Sequence, residues 1–295
     1  MAKRMARIEP INLIVTTPAR HLIPSLRKDF SIIELKKNND GKRVFPDGEV
    51  YARFEGELLK GRVVIIHAGS PRPNDGIVEL EMALAVLRRA GVPDIEVFFT
   101  YFPYGMQDKI FQEGETNAAE DLLMKLCEYW KVKRVYAIDP HFHGASWLQK
   151  FPFVSVPAHD LLVAAARIDY PEAVFVAPDM GHEHRTKKVK GFKKTRTDSY
   201  TVTIEHDKEF MGSFFGKSIG VTDDIIETGN TMVKFHDECK EYGAKELFAV
   251  ATHGALLEGV KKVKEKYKNL YLSNTIDREE ANVDISPLII EALTK

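Results

Sequence analysis

Residues 217–243 read KSIGVTDDIIETGNTMVKFHDECKEYG. A short apolar strand runs into two acids, Asp223 and Asp224. A loop holding Glu227, Thr228, Gly229, Asn230 and Thr231 follows, and then a helical pattern that Gly243 stops. Strand, loop and helix in that order form the repeating unit of a parallel α/β sheet. Ligands of such sheets bind beyond the carboxyl ends of the strands, and a helix N-terminus with open N–H groups receives an anion there. Carboxylates at that place cannot hold phosphate themselves. They accept hydrogen bonds from sugar hydroxyls, directly or through a divalent metal. Vicinal hydroxyls on one side and a phosphate on the other describe ribose 5-phosphate. A plainer reading stands level with this one on these residues alone: Thr228 or Thr231 caps the helix, and the acids favour its positive end.

Outward from this stretch the chain keeps alternating. In the N-terminal half, INLIVTT, VYARFEG, RVVIIHAG, DIEVFFTYF and RVYAIDP read as strands. HLIPSLRKD, DGIVELEMALAVLRRAG and AAEDLLMKLCEYWK read as helices, the second stopped by Gly91. A similar series follows FPFVSVPAHD: helix DLLVAAARID, strands AVFVAPD and YTVTIEH, the opening stretch, KELFAVATHG, helix GVKKVKEKY and strand LYLSNTI. The expected fold is α/β, with two similar domains, each a mostly parallel sheet flanked by helices, over residues 1–155 and 156–295.

The 295 residues carry 42 Lys and Arg against 43 Asp and Glu, a formal net charge of −1. No global field draws such a chain to nucleic acid or membrane, so neither is an expected partner. Cys127 and Cys239 lie in helical patterns without metal or disulfide-framework spacing, which points to a reducing, cytoplasmic setting. No apolar run approaches the ~18 residues of a membrane span, and the N-terminal residues do not read as a signal peptide.

The acidic loop resembles the phosphoribosyl-diphosphate-binding loop of phosphoribosyltransferases and ribose-phosphate pyrophosphokinases. Beyond it, FPDGEVYARF (45–54), SPRPNDGIVELEMALAVLRRAG (70–91), YFPYGMQDK (101–109), AIDPHFHG (137–144), VAPDMG (176–181), THGALLEG (252–259), LSNTI (272–276) and DISPLIIEAL (284–293) are similar to the pyrophosphokinases, in family order. The chain is identified on these motifs as a member of that family, of archaeal type. The resemblance implies two phosphoribosyltransferase-type domains, the ATP side in the first and the ribose 5-phosphate side in the second. It also lets the last helix pack back on the first domain.

The activity implied is magnesium-dependent transfer of the diphosphoryl group of ATP to the anomeric hydroxyl of ribose 5-phosphate, giving phosphoribosyl diphosphate and AMP. By the resemblance, Lys194 and Arg196 of GFKKTRTD are the catalytic cations, an ammonium and a guanidinium suited to phosphoryl oxygens. Phe45 stacks on adenine, Asp47 and Glu49 accept from its amine, and Gln107 and His141 serve the ATP side. His141 and Asp179 are metal-associated positions. Asp179, Asp223, Asp224, Glu227, Thr228, Gly229, Asn230 and Thr231 form the ribose 5-phosphate side. The 45–49 hairpin reaches a neighbouring subunit, which makes the enzyme a homodimer or larger homo-oligomer.

The pattern breaks in several places. Met106 stands where the family carries an Arg before Gln107, and a lost charge-assisted contact costs ~1.5–3 kcal/mol. Asn230 replaces a glycine, Phe111 replaces a usual Asp, and the segment from Gly181 to Lys194 is short for the family. Two alternatives follow: a catalytically impaired regulatory homologue, and a phosphoribosyltransferase.

Overall fold

The computed structural model describes residues 11–54, 61–178 and 211–295, and 193–196 and 202–205 as backbone strands. The chain divides into two compact units. The first comprises Met1–Ile110, Thr116–Ser155 and Ile290–Lys295; the second comprises Phe111–Glu115 and Val156–Ile289.

The first unit holds β1 (Asn12–Val15), the one-turn α1 (Ile23–Leu26), β2 (Ser31–Glu34), β3 (Arg62–Ala68), α2 (Pro73–Arg89), β4 (Asp94–Tyr101), α3 (Ala118–Met124), β5 (Arg134–Ile138) and β6 (Phe153–Val156). Its sheet runs β2-β1-β3-β4-β5-β6, and the pairings from β2 through β5 are parallel. In β3 and β4 nearly every residue is buried, as both faces of a parallel sheet are covered. That is why both strands read as unbroken apolar runs. In α2, Pro73 opens the first turn, and Leu80, Ala83, Leu84 and Leu87 are buried at helical spacing. Gly91, at φ +73°, turns the chain out of the helix. These leucines pack with Val63, Ile65, Val97 and Phe99 in one core, where each fully buried side chain contributes roughly 1.5–3 kcal/mol. Arg62 donates through Nη1 to the Leu293 carbonyl at 2.8 Å and through Nη2 to Glu96 at 2.7 Å.

The second unit holds α4 (His159–Asp169), β7 (Val174–Val176), an antiparallel pair β8 (Lys193–Arg196) and β9 (Val202–Glu205), β10 (Ser218–Ile226), α5 (Asn230–Glu241), β11 (Glu246–Gly254), α6 (Leu257–Lys266) and β12 (Leu270–Leu272). Its sheet runs β12-β11-β10-β7, all parallel. Met232, Phe235 and Cys239 of α5 pack with Val221, Ala249, Val260 and Leu272 in a second core. The final helix, α7, spans Ser286–Thr294. The fold is thus α/β with two parallel sheets flanked by helices.

Three expectations need correction. VYARFEG is not a strand over its described residues. Val50 makes one antiparallel bridge to Val44, and the chain runs on to Phe54 without a strand. Three short strands, β2, β6 and β8, lie where no strand was expected. The strand of the opening stretch does not stop at its acids: it continues to Ile226, because Ile225 and Ile226 still pair with His253 and Gly254 of β11. Among the described residues no helix is long and apolar enough to cross a membrane.

Candidate functional site

In the second unit, Asp223 and Asp224 lie within β10, where successive side chains turn to opposite faces. Asp223 is half-buried, while Asp224 is buried at 6% exposure. The Asp224 N–H donates to Asp223 Oδ1 at 2.9 Å. Glu227 and Thr228 are exposed, and buried Gly229 follows at φ +73°, the left-handed region that glycine enters without a steric penalty. Gly229 is the N-cap of α5, and no side chain caps the helix, so neither Thr228 nor Thr231 takes that role. The Asn230 N–H reaches Thr228 Oγ1 only at 3.5 Å.

A neighbouring helix seats this turn. A Cβ on Gly259 of α6 would stand 1.9 Å from the Glu227 carbonyl oxygen, and one on Gly229 would meet the Gly259 carbonyl oxygen at 2.8 Å. The loop and α6 therefore touch backbone to backbone, an approach that only paired glycines permit. One turn on, Lys262 donates to Asn230 Oδ1 at 2.8 Å. The Ala255 N–H donates to the Ile226 carbonyl at 2.9 Å. Behind α6, Ser273 and Thr275 hydroxyls donate to the Thr252 carbonyl at 2.6 and 3.0 Å, and His253 Nδ1 bonds Thr275 Oγ1 at 2.9 Å. THGALLEG and LSNTI thus carry the mounting of the acidic loop. Gly259 was not singled out from the sequence, where it reads as an ordinary residue of a helical pattern.

In the first unit, the loops after β4 and β5 leave adjacent strands at the carboxyl edge. Tyr104 and Asp139 hold φ values of 57° and 33° in these loops. Non-glycine residues in that region store strain of about 1–3 kcal/mol, and such residues cluster at functional sites. Phe142, buried between half-buried His141 and His143, packs edge-on to Phe102 at 4.8 Å and close to Trp147 at 5.1 Å. One buried ring thus fixes the loop that carries both histidines. Gln107 is exposed, its N–H bonded to the Tyr104 carbonyl at 2.9 Å, beside half-buried Met106.

Residues 43–51 of the same unit form a hairpin. Phe45 and Glu49 are bonded through the Phe45 N–H at 2.8 Å, and the Tyr51 N–H donates to the Arg43 carbonyl at 2.9 Å. Gly48, at φ +93°, makes the turn, while Asp47 Oδ1 accepts the Glu49 N–H at 3.1 Å. Phe45 is 40% exposed and meets Tyr51 edge-on at 5.7 Å. So Phe45, Asp47 and Glu49 share one exposed turn; Gln107 and His141 share the β4–β5 edge; and Asp223 through Thr231 share the loop of the second unit. Asp179 lies outside the described residues, as do the side chains of Lys194 and Arg196.

A family model for the N-terminal domain of ribose phosphate pyrophosphokinase matches residues 30–129. The ribose-phosphate pyrophosphokinase of Pyrococcus abyssi is 30% identical over 295 residues, covering 94% of this chain and 96% of its own. That of Pyrococcus furiosus is 28% identical, covering 95% and 100%. In fold, the chain is similar to phosphoribosylpyrophosphate synthetase from Mycobacterium smegmatis, with TM-score 0.80 at 20% identity over 97% of this chain and 98% of that one.

Proposed function

The chain belongs to the ribose-phosphate pyrophosphokinase family, and on that premise we propose how its own residues divide the work. The enzyme is a ribose-phosphate diphosphokinase, forming phosphoribosyl diphosphate and AMP from ATP and ribose 5-phosphate. The relatives it matches nearly end to end carry that name, so the regulatory and phosphoribosyltransferase alternatives are not favoured.

The observation that carries the assignment of roles is the glycine-seated turn Glu227–Gly229 between β10 and α5. Its N–H groups, with the Thr228 and Thr231 hydroxyls, receive the 5-phosphate at the helix N-terminus. Asp223, the more exposed acid, accepts from ribose hydroxyls, with buried Asp224 behind it and Glu227 and Asn230 at the rim. Phe45 stacks on adenine, Asp47 and Glu49 accept from its amine, and Gln107 and His141 hold ATP phosphates. Lys194 and Arg196 meet the charge that spreads over the transferring phosphoryl oxygens, where positioned cations contribute most. The 45–49 hairpin serves a neighbouring subunit of a homo-oligomer.

Among the described residues no three His, Cys, Asp or Glu side chains converge as a ready cage for a metal ion. Magnesium keeps several waters and is bound through one or two carboxylates together with substrate phosphates, so a single carboxylate beside the nucleotide would suit it. Asp179 and His141 would hold it, the carboxylate suiting so hard a cation better than the imidazole. When bound, the ion would neutralise phosphate charge.

The test is direct. With magnesium, ATP and ribose 5-phosphate the protein releases AMP, and release requires the sugar phosphate. AMP formed equally without the sugar, or no AMP with both substrates present, would overturn the reading.

A further inference from the structure

Arg43, the first residue of the 43–51 hairpin, is nearly buried, its side chain 11% exposed, and it belongs to a polar cluster under that hairpin. Its Nη2 donates to the Leu35 carbonyl at 2.7 Å, just beyond β2. Its Nη1 donates to Thr17 Oγ1 at 3.1 Å and lies 3.6 Å from Glu79 Oε1. Glu79, on the inward face of α2, is 5% exposed. Both of its oxygens accept the Thr17 N–H at 3.1 Å, and Oε1 accepts the Thr17 hydroxyl at 2.8 Å. Thr17 stands two residues past the carboxyl end of β1, and its neighbour Thr16, which directly follows the strand, bonds buried His67 Nδ1 at 2.9 Å.

A carboxylate this deep is held because it is paired and hydrogen-bonded; without its partners, burial of the charge is costly. Glu79 is thereby tied to two things at once: the end of β1, through Thr17, and the root of the hairpin, through Arg43. The strand-like ladder inside the hairpin is a single bridge, Val44 to Val50, plus turn bonds. A two-stranded ribbon of that size is not stable alone in water. Its orientation must come from its root, and Arg43 stands two residues before exposed Phe45.

We propose that Arg43, Glu79 and Thr17 form a clamp that sets the angle of the hairpin, and that these three are positioning residues for the nucleotide base. This rests on the reading of Phe45 as the adenine-stacking residue. The clamp makes no contact with the reacting atoms; it fixes where the exposed ring stands.

The experiment compares Glu79→Gln, Arg43→Lys and Phe45→Ala in steady-state kinetics, with amide hydrogen exchange of residues 43–51 as a second readout. Glu79→Gln loses the charge on one side of the pair, and the KM for ATP is expected to rise about tenfold or more, the scale of one lost charge-assisted contact. The KM for ribose 5-phosphate stays within about twofold, since ground-state binding is lost on one substrate alone. Arg43→Lys keeps the charge but loses the fork, so it should fall between Glu79→Gln and the unaltered enzyme. It also keeps the test open if Glu79→Gln does not fold. Amides of the hairpin, Tyr51 in particular, should exchange faster while those of β3 and β4 do not. Unchanged hairpin exchange in a folded clamp variant, or equal rises in both KM values, overturns the clamp. Faster exchange with no change in the KM for ATP, in the clamp variants and in Phe45→Ala alike, leaves the clamp standing and removes the hairpin from nucleotide binding.

Discussion

The Glu227 carbonyl oxygen occupies the space next to the Gly259 Cα so closely that an added Cβ would stand 1.9 Å from it. Gly259→Ala must therefore push the loop or α6 away, because the obstacle is backbone and cannot swing aside. A displacement near 1 Å at a substrate-positioning loop costs on the order of a hundredfold in rate. The expected result is that loss in kcat/KM for ribose 5-phosphate, with far-ultraviolet circular dichroism retained. Near-normal kinetics in the alanine variant would mean that this turn does not position substrate.

Lys194→Ala separates binding from chemistry. A point charge on transferring phosphoryl oxygens acts in the transition state, so its removal lowers kcat and kcat/KM together. Turnover is expected to fall by about 10³-fold, the lower range for a removed phosphoryl-transfer cation. Ribose 5-phosphate binding, followed by calorimetry, should change little. Unaltered turnover removes the basic strand β8 from the mechanism.

Met106 invites a gain-of-function test. It is half-buried beside exposed Gln107 in the loop after β4, at a position where the resemblance implies an arginine. Met106→Arg is expected to lower the KM for ATP by about tenfold, toward the value of one charged hydrogen bond. No change, or a weaker affinity, would show that the phosphate side of this pocket is arranged differently.

His67 predicts an acid-sensitive fold. Complete burial pushes its imidazole down to about 3 from an ordinary value of 6.5. The unfolded chain takes up a proton below pH 6.5 that the folded protein refuses until about pH 3. The contribution is therefore whole above pH 6.5 and is lost progressively as pH falls through that window, at about 1.4 kcal/mol per pH unit. Urea titrations should show His67→Gln losing roughly 3 kcal/mol less than the unaltered protein between pH 7 and pH 4.5. Parallel pH profiles for the two proteins would contradict this.

Much of the architecture was legible because parallel sheets write themselves locally. Buried strands such as Val63–Ile66 are continuous apolar runs, and Gly91 and Gly243 mark helix ends through positive φ. The edges were not legible. β2 pairs on one side only and none of its residues is fully buried, so Ser31–Glu34 lacks that signature. VYARFEG alternates like a strand because Val50 and Tyr51 belong to a hairpin arm, yet its described residues join no sheet. In the loop, the left-handed turn at Gly229 could be read from residue type, but the end of β10 could not. It depends on pairing with His253 and Gly254, nearly thirty residues on. Gly259 and Glu79 were invisible for the same reason, since each matters through a partner distant in sequence.

The first unit is not built from one continuous stretch: Ile290–Lys295 belong to it, and the Arg62 guanidinium donates to the Leu293 carbonyl. During synthesis, then, the N-terminal unit waits, one strand-end arginine still lacking that acceptor, until the whole C-terminal unit has left the ribosome. Shortening the chain before residue 290 would therefore be felt in the half made earliest.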